Sequence, residues 1–451
     1  MTTPAKLPSP AGRPRGDRAR ARALVVLAGA LAGCAAIAGC GAAHASVPKA
    51  SAVAAVVADP PGAPAACTKA VLETFTQVLE RVYREGVASE RTGSAEYLIT
   101  HSAALDTAVE SGEKAAARAA AKALLATGHM TNISITRAGK PFISVGGEAL
   151  APLRGKLVNS SGESIASYVA SVWADEGFVT EAGGITQGLI ALRQGGRSIA
   201  GSTPVAGTLA HEGTLTREHV TYAYTSLPAE AYPSGAIRIY LLLPVSSITP
   251  VCGSGQQQTA VNTLRQVAQL IYTGESGRSA MIQVRRVQRN KALLAAVEHR
   301  EPQATRLAVD ALLNHHVVRL RVSAGGRLLA DVGGPYVLAP VRAPLRLAGH
   351  TIGSFVLSIQ DDEGYLRLAR RLAGLHVLMY MGASNHAAGA PAQPALVKNS
   401  LGPSPGPALD AVPAHGNFDY EGRPYSVFTI RAQAFPSGPL TIRVLAANPY
   451  L

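Results

Sequence analysis

Apolar residues fall at helical spacing from Lys69 onward, with Val71, Leu72, Phe75, Val78, Leu79 and Val82 on one stripe, and this predicts a long helix. An Ala-rich region from Ala95 to Leu125 continues the helical pattern. The period then changes. Alternating or short apolar runs at Asn132–Ile135, Pro141–Val145, Ser164–Trp173, Val220–Ser226 and Ala236–Pro244 predict strands. The same order returns later: helices over Thr259–Gly274, Ala280–Leu293 and Gln303–Leu313, then strands ending with Tyr425–Ala432 and Leu440–Ala446.

The second half restates the first. The stretch from His316 to Gln360 matches that from Thr131 to Trp173, with Gly146-Gly147 answering Gly333-Gly334 and Leu150-Ala151-Pro152-Leu153-Arg154 answering Leu338-Ala339-Pro340-Val341-Arg342. Further matches join Ala104 to Ala292, Asp175-Glu176-Gly177-Phe178 to Asp362-Glu363-Gly364-Tyr365, and the AYPSG run at Ala231 to AFPSG at Ala434. The offset is about 188 residues over most of the repeat and 203 at its end, and the extra length falls in a Pro/Ala-rich piece, 387–413, read as a surface loop. Two copies of this length are duplicated domains, expected at 67–251 and 252–451. A long helix followed by an antiparallel sheet of about five strands, with no alternating βαβ pattern, makes each an α+β domain.

With these turns, the LRVSAGGRLLADVGG and AGHTIGSFVLSIQ hairpins resemble the Cache or PDC domains, extracytoplasmic sensors of PAS-like fold, and are similar to the periplasmic domains of fumarate- and citrate-sensing kinases. The resemblance spans both repeats and rests on turns and sheet packing. It implies tandem small-molecule-binding sensor modules. The sequence holds no output segment, so a lone tandem sensor is expected to report through a membrane signalling or transport partner.

Charge refines this picture. Of the formal +13, a net +5 lies before Ala23, leaving +8 for the remainder, and a mildly basic exported domain suits anionic partners or a polyanionic envelope as readily as it suits a plain solvated surface. With 5% aromatic residues, no nucleic-acid-binding pattern is present. Residues 1–45 read as an export signal: a basic start, an apolar run from Ala23, and two lipobox-like tripeptides before Cys34 and Cys40. Cys40 is the preferred lipidation site, Cys34 the alternative. Cleavage at Ala43-His44-Ala45 would instead release a soluble protein beginning at Ser46. A tether over 46–66 follows, and no later apolar run reaches the ~18 residues that span a bilayer. Cys67 and Cys252 each precede an opening helix, and an oxidising compartment permits a disulfide between them or leaves two inert thiols.

Candidate chemistry centres on arginine. Val318, Leu320 and Val322 alternate with Arg319 and Arg321, so the two guanidinium groups share a sheet face. In the resembling fold one sheet face lines the ligand cavity, where a guanidinium pair suits a carboxylate; the alternative is a solvated face. Repeat one has Asn132 and Ser134 instead. Arg342 and its counterpart Arg154 sit in a loop expected at the same rim, with Tyr336 and His350 secondary. The Asp175/Glu176 and Asp362/Glu363 pairs fit helix N-termini better than acid–base catalysis. His315-His316 lacks further ligands at zinc spacing. No G-x-S-x-G, H-E-x-x-H, C-x-x-C or phosphate loop is present, so neither an enzyme nor a cofactor is expected. The expectation is an extracytoplasmic, membrane-anchored lipoprotein that binds a small anionic solute, a carboxylate or amino acid. The alternative is an envelope scaffold with no small ligand.

Overall fold

The computed structural model describes residues 65–447, apart from 204, 206, 275–276, 314–316, 335–336, 382–393, 403–405 and 437. The preferred lipidation site Cys40 and its alternative Cys34, the pair His315-His316, and Tyr336 lie outside the described residues.

The first repeat opens with four helices, α1 (Ala65–Val87), α2 (Glu90–Thr100), α3 (Ala103–Ser111) and α4 (Lys114–Ala126). The strands β1 (Asn132–Arg137), β2 (Lys140–Gly146), β3 (Ala149–Leu150), β4 (Leu153–Val158), β5 (Ser164–Ser171) and β6 (Trp173–Ala174) follow. After α5 (Asp175–Thr186) come β7 (Leu189–Gln194), β8 (Arg197–Gly201), β9 (Glu212–Arg217), β10 (Val220–Tyr232), β11 (Gly235–Pro244) and the short α6 (Val245–Ile248). The second repeat copies this order: α7 (Gln256–Gly274), α8 (Arg278–Gln288), α9 (Lys291–Glu298) and α10 (Pro302–Leu313), then β12 (Arg319–Ala324), β13 (Arg327–Gly333), β14 (Val337–Leu338), β15 (Val341–Leu347), β16 (His350–Ser358) and β17 (Gln360–Asp361). It closes with α11 (Asp362–Ala373), β18 (Leu375–Met381), β19 (Ala395–Asn399), β20 (Gly416–Tyr420), β21 (Arg423–Phe435) and β22 (Gly438–Ala447).

This is the tandem α+β plan that the Cache/PDC resemblance implies, a long helix ahead of antiparallel sheet in each repeat. The strands of each repeat form two sheets rather than one of about five. A four-stranded sheet runs β2-β1-β5-β4 in the first repeat and β13-β12-β16-β15 in the second. A seven-stranded sheet runs β6-β3-β10-β11-β7-β8 with β9 beside β10, and its copy runs β17-β14-β21-β22-β18-β19 with β20 beside β21. Two further expectations are corrected. The piece 387–413 is not all loop, because β19 lies within it and pairs with β18. The expected helix over Ala280–Leu293 breaks at Asn290, whose side chain accepts from the Leu293 N–H at 2.9 Å and so caps a new helix, α9.

The Leu-Ala-Pro block is the corner where the chain leaves the large sheet for the small one. Ala151 and Ala339 there take φ of 51° and 48°. A tyrosine of the opening helix holds each corner. Tyr83 Oη accepts from the N–H of Glu230 in β10 at 2.9 Å, and the carbonyl of Glu230 accepts from Ala151 N at 3.0 Å. Tyr272 Oη accepts from Ala339 N at 3.1 Å and donates to Gln433 O at 3.0 Å. Tyr272→Phe is expected to leave a buried N–H unsatisfied and to cost about 1–2 kcal/mol, read from the urea midpoint.

The two repeats share a core and lie in one compact unit, Ala54–Leu451. Its cluster takes Phe75, Leu79 and Val82 from α1, Val267 and Ile271 from α7, Phe178 from α5 and Tyr365 from α11. Ile239 and Leu241 of one large sheet and Ile442 and Val444 of the other complete it. The long helices α1 and α7 pack on each other, and each also touches both α5 and α11. The small sheets carry separate cores with α2–α4 and α8–α10. Cys67 and Cys252 are joined in a disulfide with Cα atoms 5.6 Å apart, tying the start of α1 to the approach to α7. Among the described residues no helix is long and apolar enough to cross a membrane.

Candidate functional site

Arg319 and Arg321 do share a face of β12, and the chain supplies them with a carboxylate of its own. Asp331, on the neighbouring β13, accepts from Arg319 Nε at 2.8 Å and Nη2 at 2.9 Å, and from Arg321 Nε at 3.0 Å and Nη2 at 2.5 Å. Arg319 Nη1 also donates to Gly334 O at 2.6 Å. Both guanidinium groups lie over the Phe435 ring, at 5.2 and 4.3 Å from its centroid. Burial works to raise the Asp331 carboxyl, but the hydrogen bonds and charges of the two arginines outweigh it and hold it below the ordinary carboxylate value.

Repeat one explains what this cluster does. There Asn132 Nδ2 donates to Gly147 O at 2.7 Å, as Arg319 does to Gly334, and Ser134 and Ser144 share a hydrogen bond of 2.7 Å where Arg321 meets Asp331. The whole polar set differs between copies while its task, fastening the first strand to the Gly-Gly turn, is kept. The glycine itself is required in both. A Cβ on Gly333, at φ +127°, would fall 2.2 Å from Val318 O, and one on Gly146 would fall 2.3 Å from Thr131 O.

The other expected rim residues lie apart from this cluster in their roles. Arg154 and Arg342 are each the second residue of a strand, β4 and β15, not loop residues, and both are exposed. Arg154 forms an ion pair with Glu230. His350 is the exposed first residue of β16. The acidic pairs open α5 and α11: Asp175 and Asp362 are the first helical residues, each Oδ1 accepting from the next backbone N–H. The cap of α11 is Asp361, whose Oδ1 accepts from Gly364 N at 2.6 Å, and α5 starts from Ala174 with no side-chain cap. Among the described residues no group of His, Cys, Asp or Glu could hold a metal ion.

Sequence reasoning missed two concave sites. The first is a groove between an opening helix and the β9/β10 or β20/β21 edge, and it occurs in both repeats. In repeat one it measures about 830 Å3, floored by Leu72, Ala223 and Tyr224 and rimmed by Lys69, Glu73, Thr76 and Glu212. In repeat two the matching positions carry Gln258, Val261, Asn262, Arg265, His415 and Ser426, and the space falls to about 410 Å3. The Tyr224 ring reaches across β9 because residue 213 is glycine; a Cβ there would lie 2.8 Å from the phenol oxygen. Lys69 and Glu73 stand 3.8 Å apart at the rim.

The second is a cleft of about 1090 Å3 where α1 and α2 of the first repeat face α11 of the second. Arg81, Arg91, Arg367, Arg370 and Arg371 line it, against Glu85, Glu90 and Glu363. Arg371 pairs with Glu85 at 3.3 Å, and Glu363 is taken by Lys398 at 2.7 Å. Burial, and then the charge of Arg371, lowers the Arg91 guanidinium from its ordinary value.

No protein-family model and no curated protein matches the chain. Solved structures that match include the ligand-binding domain of the Pseudomonas fluorescens chemoreceptor CtaA in complex with L-isoleucine, at 12% identity over 41% of this chain and 95% of that one, with a TM-score of 0.27. Another is an extracellular ligand binding receptor from Desulfohalobium retbaense, at 10% identity over 52% of this chain and 47% of that one, so that roughly half of that chain is spanned, with a TM-score of 0.25.

Proposed function

We propose that this chain is an extracytoplasmic small-molecule-binding protein of sensor type, held at the membrane by an N-terminal lipid and reporting through a membrane partner. The observation that carries the reading is the groove of repeat one. Its volume of about 830 Å3 lies in the range of small-ligand sites, and it combines an apolar floor with a few polar groups at the rim. Because the same groove recurs in repeat two, it belongs to the fold and is no accident of one loop.

The rim chemistry suits a carboxylate or an amino acid. The Lys69 ammonium would take the carboxylate, Glu73 an amine, and Leu72, Ala223 and Tyr224 the apolar body. Repeat two offers a smaller, more polar space, which favours repeat one as the binding copy. Arg319 and Arg321 do not line this groove, and Asp331 engages both.

The test is thermal unfolding of the protein with amino acids and small carboxylates. A ligand present at 100-fold its dissociation constant is expected to add about 2.7 kcal/mol. The shift is expected to vanish in Thr76→Trp, which fills the groove from its rim, and to persist in Arg319→Ala. A shift that survives Thr76→Trp moves the site elsewhere. No shift with any of the panel favours the scaffold.

A further inference from the structure

The two copies of the fold differ in charge where α11 faces α1 and α2. Arg367, Arg370 and Arg371 stand on α11, while the matching positions of α5 are Thr180, Gly183 and Gly184. Arg81 of α1 answers to Leu270 of α7. Basic residues in a last helical turn often serve only to offset the helix dipole. Here α5 ends without any basic residue in its last turn, so the duplicated fold does not need them.

The charges are also poorly offset. Of the three carboxylates in the cleft, Glu363 is held by Lys398 and Glu85 by Arg371. Among the described residues Arg81, Arg91, Arg367 and Arg370 form no ion pair, although Arg91 donates to Gly128 O at 3.1 Å. Several guanidinium groups converging on one concave space, drawn from both halves of the chain, form an arrangement whose natural complement is an anion with more than one charged group. Arginine presents a planar fork of donors that matches carboxylate and phosphate oxygens, and it stays charged throughout the accessible pH range.

We propose that this cleft between the repeats is a binding site for a compact, multiply charged oxyanion, bearing two or more phosphate or carboxylate groups. It is separate from the groove of repeat one. The anion would be gripped by Arg367 and Arg370 from the second repeat and by Arg81 and Arg91 from the first, so that binding bridges the two halves.

Calorimetric titration of the protein at fixed ionic strength tests this, with inorganic pyrophosphate and citrate as multivalent probes and inorganic phosphate and acetate as simpler ones. Either multivalent probe is expected to bind at least tenfold more tightly than its simpler counterpart. Arg367→Ala/Arg370→Ala is expected to weaken that binding at least tenfold, while Arg306→Ala, an exposed arginine of α10 far from the cleft in sequence, leaves it unchanged. Circular dichroism and the unfolding midpoint confirm that the double variant folds; should it fail to, Arg81→Ala serves in its place. Equal losses in Arg306→Ala would reduce the effect to diffuse surface charge and overturn the site. So would binding to vesicles of anionic phospholipid without binding to either soluble multivalent probe.

Discussion

Replacing Cys67 and Cys252 together by serine is expected to lower the stability of the folded chain by about 3–5 kcal/mol. The bond closes a loop with a sequence separation of 185 residues, so its removal returns a large amount of chain freedom to the unfolded state. In the chain-entropy picture a loop of this length is worth about 5 kcal/mol, and measured disulfides commonly fall somewhat below that figure. Cys67 is itself part of the shared core, so a serine there also buries a hydroxyl among apolar neighbours. Urea unfolding of the variant beside the unreduced parent reads the loss directly. Coincident midpoints would mean that the crosslink adds nothing beyond the packing of α1 on α7.

Asp331→Ala is expected to cost about 3 kcal/mol, because it strips two largely enclosed guanidinium groups of their carboxylate. Arg319 and Asp331 side chains are only 12% and 16% exposed; Arg321, at 32%, is better able to recover water. The pH dependence follows from the depressed Asp331 carboxyl. A carboxyl held lower in the folded state contributes stability that is complete above its unfolded value, about 4, and is lost as pH falls through the folded one. The gap between parent and Asp331→Ala is therefore expected to be full at neutral pH and to narrow in acid. Exchanging the full set for that of repeat one (Arg319→Asn, Arg321→Ser and Asp331→Ser) is expected to restore at least half of the loss. If the triple exchange is no more stable than Asp331→Ala alone, the two polar sets are not equivalent fasteners.

The duplication, the α+β class and most element positions were legible because they rest on local signals: apolar period, glycine turns and the recurrence of both. The roles of Arg319 and Arg321 were not. Counting back from the Gly325-Gly326 turn in a regular hairpin puts Ala330 opposite Arg321. A register shift between Val322 and Ser323 puts Asp331 there instead. A one-residue bulge thus converts an apparent anion site into an internal ion pair, and no alternation pattern records it. The disulfide was open for a different reason, since spacing says nothing about whether two Cα atoms lie within reach. The arginine cleft does have a sequence signal, in the comparison of the two helices. Set side by side, DEGYLRLARRLA and DEGFVTEAGGIT put Arg367, Arg370 and Arg371, which line it, against Thr180, Gly183 and Gly184. The groove of repeat one left less, because its floor joins α1 to strands about 150 residues onward.

The packing of α1 on α7, with each helix also meeting α5 and α11, is the contact a symmetric homodimer would make about its axis, here joined into one polypeptide. In a true homodimer every substitution appears on both sides of the axis, and a cluster of arginines in one cleft would be matched by the same cluster in the other. Fusion lifts that constraint. One half could keep a roomy groove while its partner's narrowed, and a single helix could turn basic while the matching positions of its counterpart are Thr180, Gly183 and Gly184. The molecule gains a front and a back. A partner that reads only one of them needs no second copy of itself to dock.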